Sequence, residues 1–295
     1  MKVALICCGR LENRYAIEFI EYYKQLGFDH IYIADNNYDG EEYFEDVLQS
    51  YINNDFVTIY NYRNIIACQG KSYIEIYNEI KNDYDWVAFF DFDEFLTLVE
   101  DNNIKDYLGR DCFINVNQIL INWKIYTDND LLYDDGRPCL ERFTIPMKNV
   151  YVSYNYCYEN EHTKPIIRGN LNNIDIAHPH IVGIKNTDDV ITPIVNNEGE
   201  EITNITKYNF SIVPLSHTLS YIKHFTTKTL EEWVNNKYRK GTGDRTFYDF
   251  IRTYPLERFF KINNITEEKL EYLKVMGVDI SNLTREKCDK WEITW

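Results

Sequence analysis

The sequence predicts an α/β protein with a mostly parallel sheet flanked by helices, and two changes of pattern support that class. Apolar runs alternate with amphipathic stretches through the first half of the 295-residue chain, which is typical of parallel strands joined by helices. From residue 111 to about residue 213, short strand candidates between loops predict an antiparallel section, and beyond residue 220 the apolar spacing becomes helical. We therefore expect an α/β domain over residues 1–245 and a helical extension over residues 246–295 packed on it.

The first half follows a β-α-β-α-β-α-β order. Gly27 supplies a stop for the first helix, and a polar loop follows the second strand at Asp35 and Asn36. This order is typical of the first half of a nucleotide-binding sheet, where a carboxylate after the second strand often contacts a ribose or base. The sequence contains no Gly-x-Gly-x-x-Gly or Walker-type loop, which disfavours ordinary dinucleotide and ATP sites. The predicted strands cover 3–8, 30–34, 57–62 and 86–90, and the second and third helices cover about 41–52 and 71–81.

Net charge and cysteine content restrict the possible ligands and the cellular compartment of the protein. A formal net charge of −16 argues against non-specific binding to nucleic acid, which needs an excess of Lys and Arg. Seven cysteines without the paired spacing of a zinc site favour a reducing compartment over a disulfide framework. The apolar run from Val3 is too short for a signal peptide or a membrane span. We expect a cytoplasmic protein that meets the inner face of the membrane only through a substrate or partner.

The most informative stretch is the apolar run that begins at Trp86 and ends in three carboxylates, Asp91, Asp93 and Glu94. A buried strand here would bring these carboxylates out at the carboxyl edge of the sheet, where open α/β sheets bind ligands. Strand alternation would place Asp91 and Asp93 on one side, and hard oxygen ligands suit Mg²⁺ or Mn²⁺ carrying a diphosphate. The structural alternative is a turn that merely caps the strand.

Several separated segments together resemble glycosyltransferase family 92 and its bacterial relatives in the wider family 2-like group. The family's usual Lys-Asn-Glu reads Glu12-Asn13-Arg14 here, and Phe92 stands where a small aliphatic residue is more usual. The matching segments, in chain order, are Glu12–Arg14, Glu18–Tyr23, Leu26–His30, Ile33–Asn36, Trp86–Phe95, Trp123, Leu140–Phe143, Ile222–Lys228, Glu231–Trp233 and Lys237–Gly241.

The resemblance implies a GT-A fold, a nucleotide-sugar donor that is usually a UDP-sugar, a divalent metal ion (Mn²⁺ or Mg²⁺), and transfer with inversion at the anomeric carbon. The metal ligands that it implies are Asp91, Asp93 and His224. The alternative for His224 is a structural histidine in the core.

The resemblance also implies residues that bind the donor. Asp35 and Asn36 would contact the nucleoside, and Asp91 would contact the ribose or the metal. Lys228, Lys237 and Arg239 belong to a basic cluster in an acidic protein, and cations there would stabilise the charge of a departing diphosphate. The alternative for each cation is a solvated helix face.

An inverting transfer needs a general base for the acceptor hydroxyl. Glu141, in a matching segment of the acceptor half, is the first candidate, and Asp128 and Asp130 in the loop after Trp123 are rivals. A salt bridge is the alternative role for Glu141, and a core position is the alternative to a sugar platform for Trp123.

The sequence thus predicts a metal-dependent inverting glycosyltransferase that acts on a glycan or lipid-linked glycan in bacterial surface polysaccharide assembly. Three alternatives stay open. A metal-dependent nucleotidyl- or phosphotransferase would also place aspartates at strand ends, a carbohydrate-binding scaffold descended from a transferase would use its Tyr-rich faces without metal, and a retaining enzyme would differ only in product stereochemistry.

Overall fold

The computed structural model describes residues 1–148, 151–152, 157–208, 213–238, 256–280 and residue 283. Arg239, predicted to bind the donor, lies outside the described residues. So does a helix that the sequence predicts over residues 247–254.

Strands and helices alternate through the first half of the chain, as the sequence predicts. The strands are, in chain order, β1 (Val3–Gly9), β2 (His30–Asp35), β3 (Val57–Asn61), β4 (Trp86–Phe89), β5 (Glu94–Leu98), β6 (Gln118–Ile125), β7 (Tyr151–Val152), β8 (Cys157–Tyr158), β9 (Thr163–Arg168), β10 (Ile174–His178), β11 (Ile181–Ile184), β12 (Ile194–Asn196) and β13 (Ser220–His224). The α-helices are α1 (Asn13–Gln25), α2 (Glu45–Asn53), α3 (Gln69–Ile80), α4 (Ile104–Leu108), α5 (Cys139–Arg142), α6 (Leu230–Glu232), α7 (Leu256–Ile262) and α8 (Glu267–Val275).

The main sheet is mostly parallel, which confirms the predicted α/β class. Its strand order in the described residues is β3-β2-β1-β4-β9-β6-β13-β5, with β12 beside β6. β1 runs parallel to β2 and β4, and β6 runs parallel to β13, whereas β9 and β5 run antiparallel to their neighbours. The carboxyl ends of β1, β4, β6 and β13 therefore meet at one edge of the sheet.

Both faces of the sheet are buried. Along β1, Val3 and Leu5 pack into the cluster that α1 covers, and Ala4 and Ile6 pack into the cluster on the α3 side. This alternation is what a doubly covered strand requires. Among the described helices, none combines the length and the apolar character that crossing a membrane demands.

Two predicted elements differ in detail. The strand expected over residues 113–121 is β6, which starts at Gln118 after a 3₁₀ turn at Asp111–Phe113. The strand expected over residues 174–182 is a hairpin of β10 and β11, because Pro179 lacks the N–H that a continuous ladder needs.

Candidate active site

A cleft lies at the carboxyl edge of the sheet. Its walls come from the segment after β1, the turn after β4, the end of β6, the segment after β13 and the helices beyond it. The lining carboxylates among the described residues are those of Glu12, Asp91 and Asp93. Two segments far apart in the chain thus place acidic groups in one cavity.

Asp91 and Asp93 lie in a tight turn rather than on a continuing strand, which corrects the expected strand alternation. β4 ends at Phe89, and the turn is closed by the Glu94 amide donating to the Asp91 carbonyl at 3.0 Å. The Glu94 side chain is fully buried and its Oε2 accepts from the Asp91 amide at 2.9 Å. Glu94 therefore buttresses the turn from below.

The unusual Phe92 anchors this turn on β1. Its ring is 2% exposed and stacks on Phe44 with 5.2 Å between ring centroids. A Cβ on Gly9, at the end of β1, would lie 2.6 Å from the Phe92 ring. Gly9 is thus required for the close approach that holds both aspartates at the mouth of the cleft.

A fully buried lysine, Lys164 of β9, holds Asp91. Its Nζ lies 2.6 Å from Asp91 Oδ2 and 3.4 Å from Glu94 Oε2. Gln69 and Tyr73 donate to the other oxygen, Oδ1, at 2.7 and 3.1 Å. Burial opposes ionisation of Lys164, but the two carboxylates raise its pKa above the ordinary range. The lysine therefore keeps its charge and fixes the orientation of Asp91.

Asp93 lies among cations contributed by the segment after β13. Lys237 Nζ donates to Asp93 Oδ2 at 2.8 Å and to the Thr226 carbonyl at 2.6 Å, and Lys228 Nζ lies 4.0 Å from the same carboxylate oxygen. Burial opposes ionisation of Asp93, but Lys237, His224 and Lys228 together hold its pKa well below the usual range. Asp93 is therefore an anion at neutral pH.

Lys228 occupies an unusual backbone conformation. Its φ is +52°, in the left-handed region that a residue with a Cβ rarely adopts. Its side chain is buried, and Nζ lies 4.1 Å from the centroid of the Tyr15 ring. The next residue, Thr229, caps α6 through a reciprocal capping box with Glu232. Strain of this kind concentrates at functional sites, and the cap over-determines it here.

His224 ends β13 beside Asp93, with 3.6 Å between Nε2 and Asp93 Oδ1. Burial lowers the pKa of His224, so its imidazole is neutral at pH 7. Its ring lies 4.2 Å from that of Trp123 on β6, and Nδ1 has no hydrogen-bond partner among the described residues. Trp123 also contacts His180, which lines the cleft.

Glu12 lies just before α1 and lines the cleft. Its Oε2 is buried and has no hydrogen-bond partner in the described part of the chain. Burial raises the pKa of Glu12 to about 7, with Asp93 adding to the rise and Lys228 and Lys237 opposing it. Glu12 therefore exchanges a proton near neutral pH.

The two predicted nucleoside contacts, Asp35 and Asn36, do not line the cleft. Asp35 Oδ2 accepts from Arg63 Nη1 at 2.7 Å, and Oδ1 accepts from the Asn37 amide and side chain. Asn36 donates to the carbonyls of Tyr62 and Ile65. Both side chains are buried and hold the loops after β2 and β3 together.

The predicted base candidates also lie outside the lining of the cleft. Glu141 is exposed on α5. Asp128 is 1% exposed, and its Oδ2 forms an ion pair with Lys269 of α8 at 2.6 Å. Its rival Asp130 is largely exposed and lies 3.4 Å from the same lysine. Asp128 thus has a structural ion-pair partner, and its role as a base stays a prediction.

Three features of the site were not predicted from the sequence: Lys164, the raised pKa of Glu12, and Arg258 of α7, which also lines the cleft. Lys164 left little signal, because it follows Glu161, His162 and Thr163 and precedes the apolar residues of its strand. Arg258 left none, because a single arginine in a helix is normally a surface residue.

The residues present fit a divalent ion held in part by protein. No group of three His, Cys, Asp or Glu side chains gathers as a ligand shell among the described residues. Asp93 Oδ1 and the neutral His224 are adjacent, whereas both oxygens of Asp91 already have partners. Mg²⁺ in nucleotide enzymes commonly takes one or two protein ligands and completes its shell with phosphates and water.

The mixed α/β sheet with an acidic cleft at its carboxyl edge belongs to the class of open α/β proteins, which bind ligands at that edge. The sequence profile of glycosyltransferase family 92 matches residues 6–238, and the chain belongs to that family. It is therefore a glycosyltransferase. No curated protein sequence matches the chain.

Similar solved structures include three of TarS from S. aureus. TarS 1–349 is 14% identical with a TM-score of 0.41, and the match covers 98% of this chain and 82% of that one. The complex of TarS 1–349 with UDP-GlcNAc is 12% identical with a TM-score of 0.39, covering 94% and 80%. A longer TarS chain is 12% identical with a TM-score of 0.41, covering 97% of this chain and 50% of that one.

Proposed function

We propose that the protein transfers a sugar from a nucleotide sugar, most plainly a UDP-sugar, to a glycan or lipid-linked glycan acceptor. The reaction would require a divalent metal ion and would proceed with inversion at the anomeric carbon. The observation that carries the proposal is the turn at Asp91–Glu94. It presents two aspartates beside the buried Lys164 and the partly exposed Lys237, at the edge of a mostly parallel sheet in a family 92 glycosyltransferase. A role in surface polysaccharide assembly is part of the same proposal and follows from the family resemblance.

The cations around Asp93 would serve the leaving group. Breaking the bond between sugar and diphosphate builds negative charge on the diphosphate, and prepositioned cations stabilise that charge. Lys237 lies partly exposed in the cleft, and Lys228 lies behind it. We infer that Lys237 moves part of its contact from Asp93 to the phosphate when donor binds.

Asp93 and His224 would hold the metal ion. When bound, a divalent ion neutralises the diphosphate as a Lewis acid. Lys237 occupies Asp93 Oδ2, whereas Oδ1 faces His224 Nε2, so a ligand at Oδ1 leaves the lysine contact intact. Asp91, fixed by Lys164, would orient the ribose or the sugar.

Glu12 is our candidate for the general base. It lines the cleft, and a pKa of about 7 matches the working pH of a group that accepts and releases a proton. Glu141 and Asp128 lack this placement. The base would accept the proton of the acceptor hydroxyl as that hydroxyl attacks opposite the leaving diphosphate.

Aromatic rings support a glycan as acceptor. Trp123 belongs to the core cluster, yet it is 6% exposed and its edge lines the cleft together with Pro179 and His180. Indole faces pack well against the apolar face of a sugar ring while hydroxyls bond to neighbouring polar groups.

Thermal shift and product analysis test the proposal. UDP-, GDP-, CMP- and ADP-sugars are screened with and without Mn²⁺ on the wild type, on Asp93→Asn and on Asp46→Asn, a control on the surface of α2. The expected result is metal-dependent stabilisation by one nucleotide class, lost in Asp93→Asn only, and release of a nucleoside diphosphate with glycan acceptors. Release of pyrophosphate or phosphate would support the nucleotidyl- or phosphotransferase. Glycan binding without any nucleotide response would support the scaffold.

A further inference from the structure

We propose that Arg258 of α7, which lies beyond the family match at residues 6–238, completes the donor site by binding the diphosphate of the nucleotide sugar. This inference rests on the proposed function. It makes part of the predicted helical extension a component of the site rather than an appendage.

The placement of Arg258 is the first support. Its side chain is partly exposed and lines the same cavity as Asp93, His224 and Lys237. Its neighbour Phe259 points into the core instead, and is fully buried. Arg258 is thus on the face of α7 that meets the cleft.

The apolar core behind α7 fixes that face. Leu256, Phe259 and Phe260 share one cluster with Trp233 and Val234 of the helical turn after α6. The rings of Trp233 and Phe259 lie 5.8 Å apart, and Trp233 itself lines the cleft. The segment that carries Lys237 and the helix that carries Arg258 are therefore packed as one unit beside Asp93.

Hydrogen bonds join the residue after α7, Asn263, to the segments that follow β13 and β6. Asn263 Nδ2 donates to Thr227 Oγ1 at 3.1 Å, and its Oδ1 accepts from the Asp128 amide at 2.7 Å. Lys269 of α8 pairs with the buried Asp128 carboxylate at 2.6 Å. These contacts keep α7 from sliding along the cleft, which gives Arg258 a defined position.

The charge balance calls for a cation of this kind. Lys164 is held by Asp91 and Glu94, Lys237 by Asp93, and Arg10 by two contacts with Glu41 at 2.9 and 2.7 Å. Much of this positive charge is already matched by carboxylates before a diphosphate enters. A guanidinium has several donors in a planar fork, so it can bind phosphate oxygens in pairs even when one donor is engaged elsewhere.

Titration calorimetry in the presence of Mn²⁺ tests the assignment. UDP, GDP, CDP and ADP are compared with their monophosphates on the wild type, Arg258→Gln, Arg258→Lys and Lys274→Gln. Lys274 is exposed on α8 and serves as the charge-matched control. We expect Arg258→Gln to weaken the preferred diphosphate about 10-fold or more and its monophosphate much less, with Arg258→Lys in between.

The outcomes separate the two proposals. If the wild type binds no nucleotide, the proposed function fails and the inference fails with it. If the wild type binds a diphosphate and both Arg258 variants bind it equally well, the assignment of Arg258 alone is overturned. An equal loss for diphosphate and monophosphate would also overturn it, because it would indicate a contact outside the second phosphate or a general disturbance of the fold.

Discussion

Asp35 ends β2 and Asp93 lies in the turn after β4, so both lie at the carboxyl edge of the same sheet, yet their surroundings differ. Asp35 is sealed by Arg63, and both side chains are buried, 3% and 8% exposed. Asp93 is 9% exposed by side chain, but its strongest partner, Lys237, reaches it from the cleft and is 23% exposed. The first pair closes a loop, and the second keeps a carboxylate in reach of a ligand.

The comparison teaches that position at a strand end does not by itself make a ligand site. What decides is where the counter-charge comes from. Arg63 follows β3, the neighbouring strand, so Asp35 is neutralised inside the sheet layer. The cations of Asp93 come from the segment after β13. That segment forms the opposite wall of the cleft, where a donor phosphate can share them.

The largest effect is expected at Asp93. Asp93→Asn removes the anion that holds Lys237 and faces His224, and we expect kcat/KM for transfer to fall about 10³-fold or more. The midpoint of thermal unfolding should fall less than in Asp35→Asn, since Lys237 is 23% exposed and can turn toward solvent, although Lys228 stays buried. Initial rates of nucleoside diphosphate release measure the effect. Transfer at the wild-type rate would show that the acidic turn is structural.

Asp35→Asn should have the reverse effect, lowering the stability of the fold and sparing the transfer rate. It leaves the guanidinium of Arg63 buried without its counter-charge, and we expect a loss of about 3 kcal/mol in the free energy of unfolding, with the transfer rate per folded molecule retained. Urea denaturation of Asp35→Asn, Arg63→Met and the double variant measures it, and the double variant should lose less than the sum. Unchanged stability with weaker nucleotide binding would restore Asp35 as the nucleoside contact that the sequence predicts.

The sequence predicts the sheet better than the site. Apolar runs such as Trp86–Phe90 are local, so the succession of strands along the chain and the position of the Asp91–Glu94 carboxylates after a strand could be inferred from the sequence alone. The nearness of His224 to Asp93 required a family resemblance, because nothing in the local pattern joins β13 to the turn after β4.

Partners could not be predicted where they come from distant strands. Lys164 reaches Asp91 only because β9 inserts between β4 and β6 in antiparallel orientation. Asp128 looked like a catalytic candidate in a polar loop, and its burial against Lys269 depends on the packing of α8. Charge type can be read from the sequence, whereas pairing follows from topology.

Glu12→Gln tests whether the carboxylate of Glu12 is functional, like that of Asp93, or structural, like that of Asp35. We expect kcat to fall about 10²-fold or more, as for loss of a general base. In the wild type, kcat should rise with pH through about 7, because burial raises the pKa of Glu12 and the base must be deprotonated. The variant should lack this limb. Parallel profiles of Glu141→Gln and Asp128→Asn decide between the candidates, and an unchanged limb in Glu12→Gln would remove Glu12 from the role.

The smallest expected effect is on the pH dependence of the stability of Glu12→Gln. The pKa of Glu12 is about 7 in the folded chain against an ordinary value of 4.5, so the folded state keeps a proton that the unfolded chain releases. Stability from this group is therefore present below about pH 4.5 and declines as the pH rises through about 7. Glutamine has no such decline, so Glu12→Gln should match the wild type near about pH 5 and unfold a few degrees higher near about pH 8. Melting curves across that range, without metal or nucleotide, measure the difference. A variant that is more stable but less active at high pH would show that Glu12, like Asp93, serves function. A residue kept for chemistry can lower the stability of the fold at the pH at which it acts. A variant that is less stable at every pH would show that Glu12, like Asp35, has a structural role.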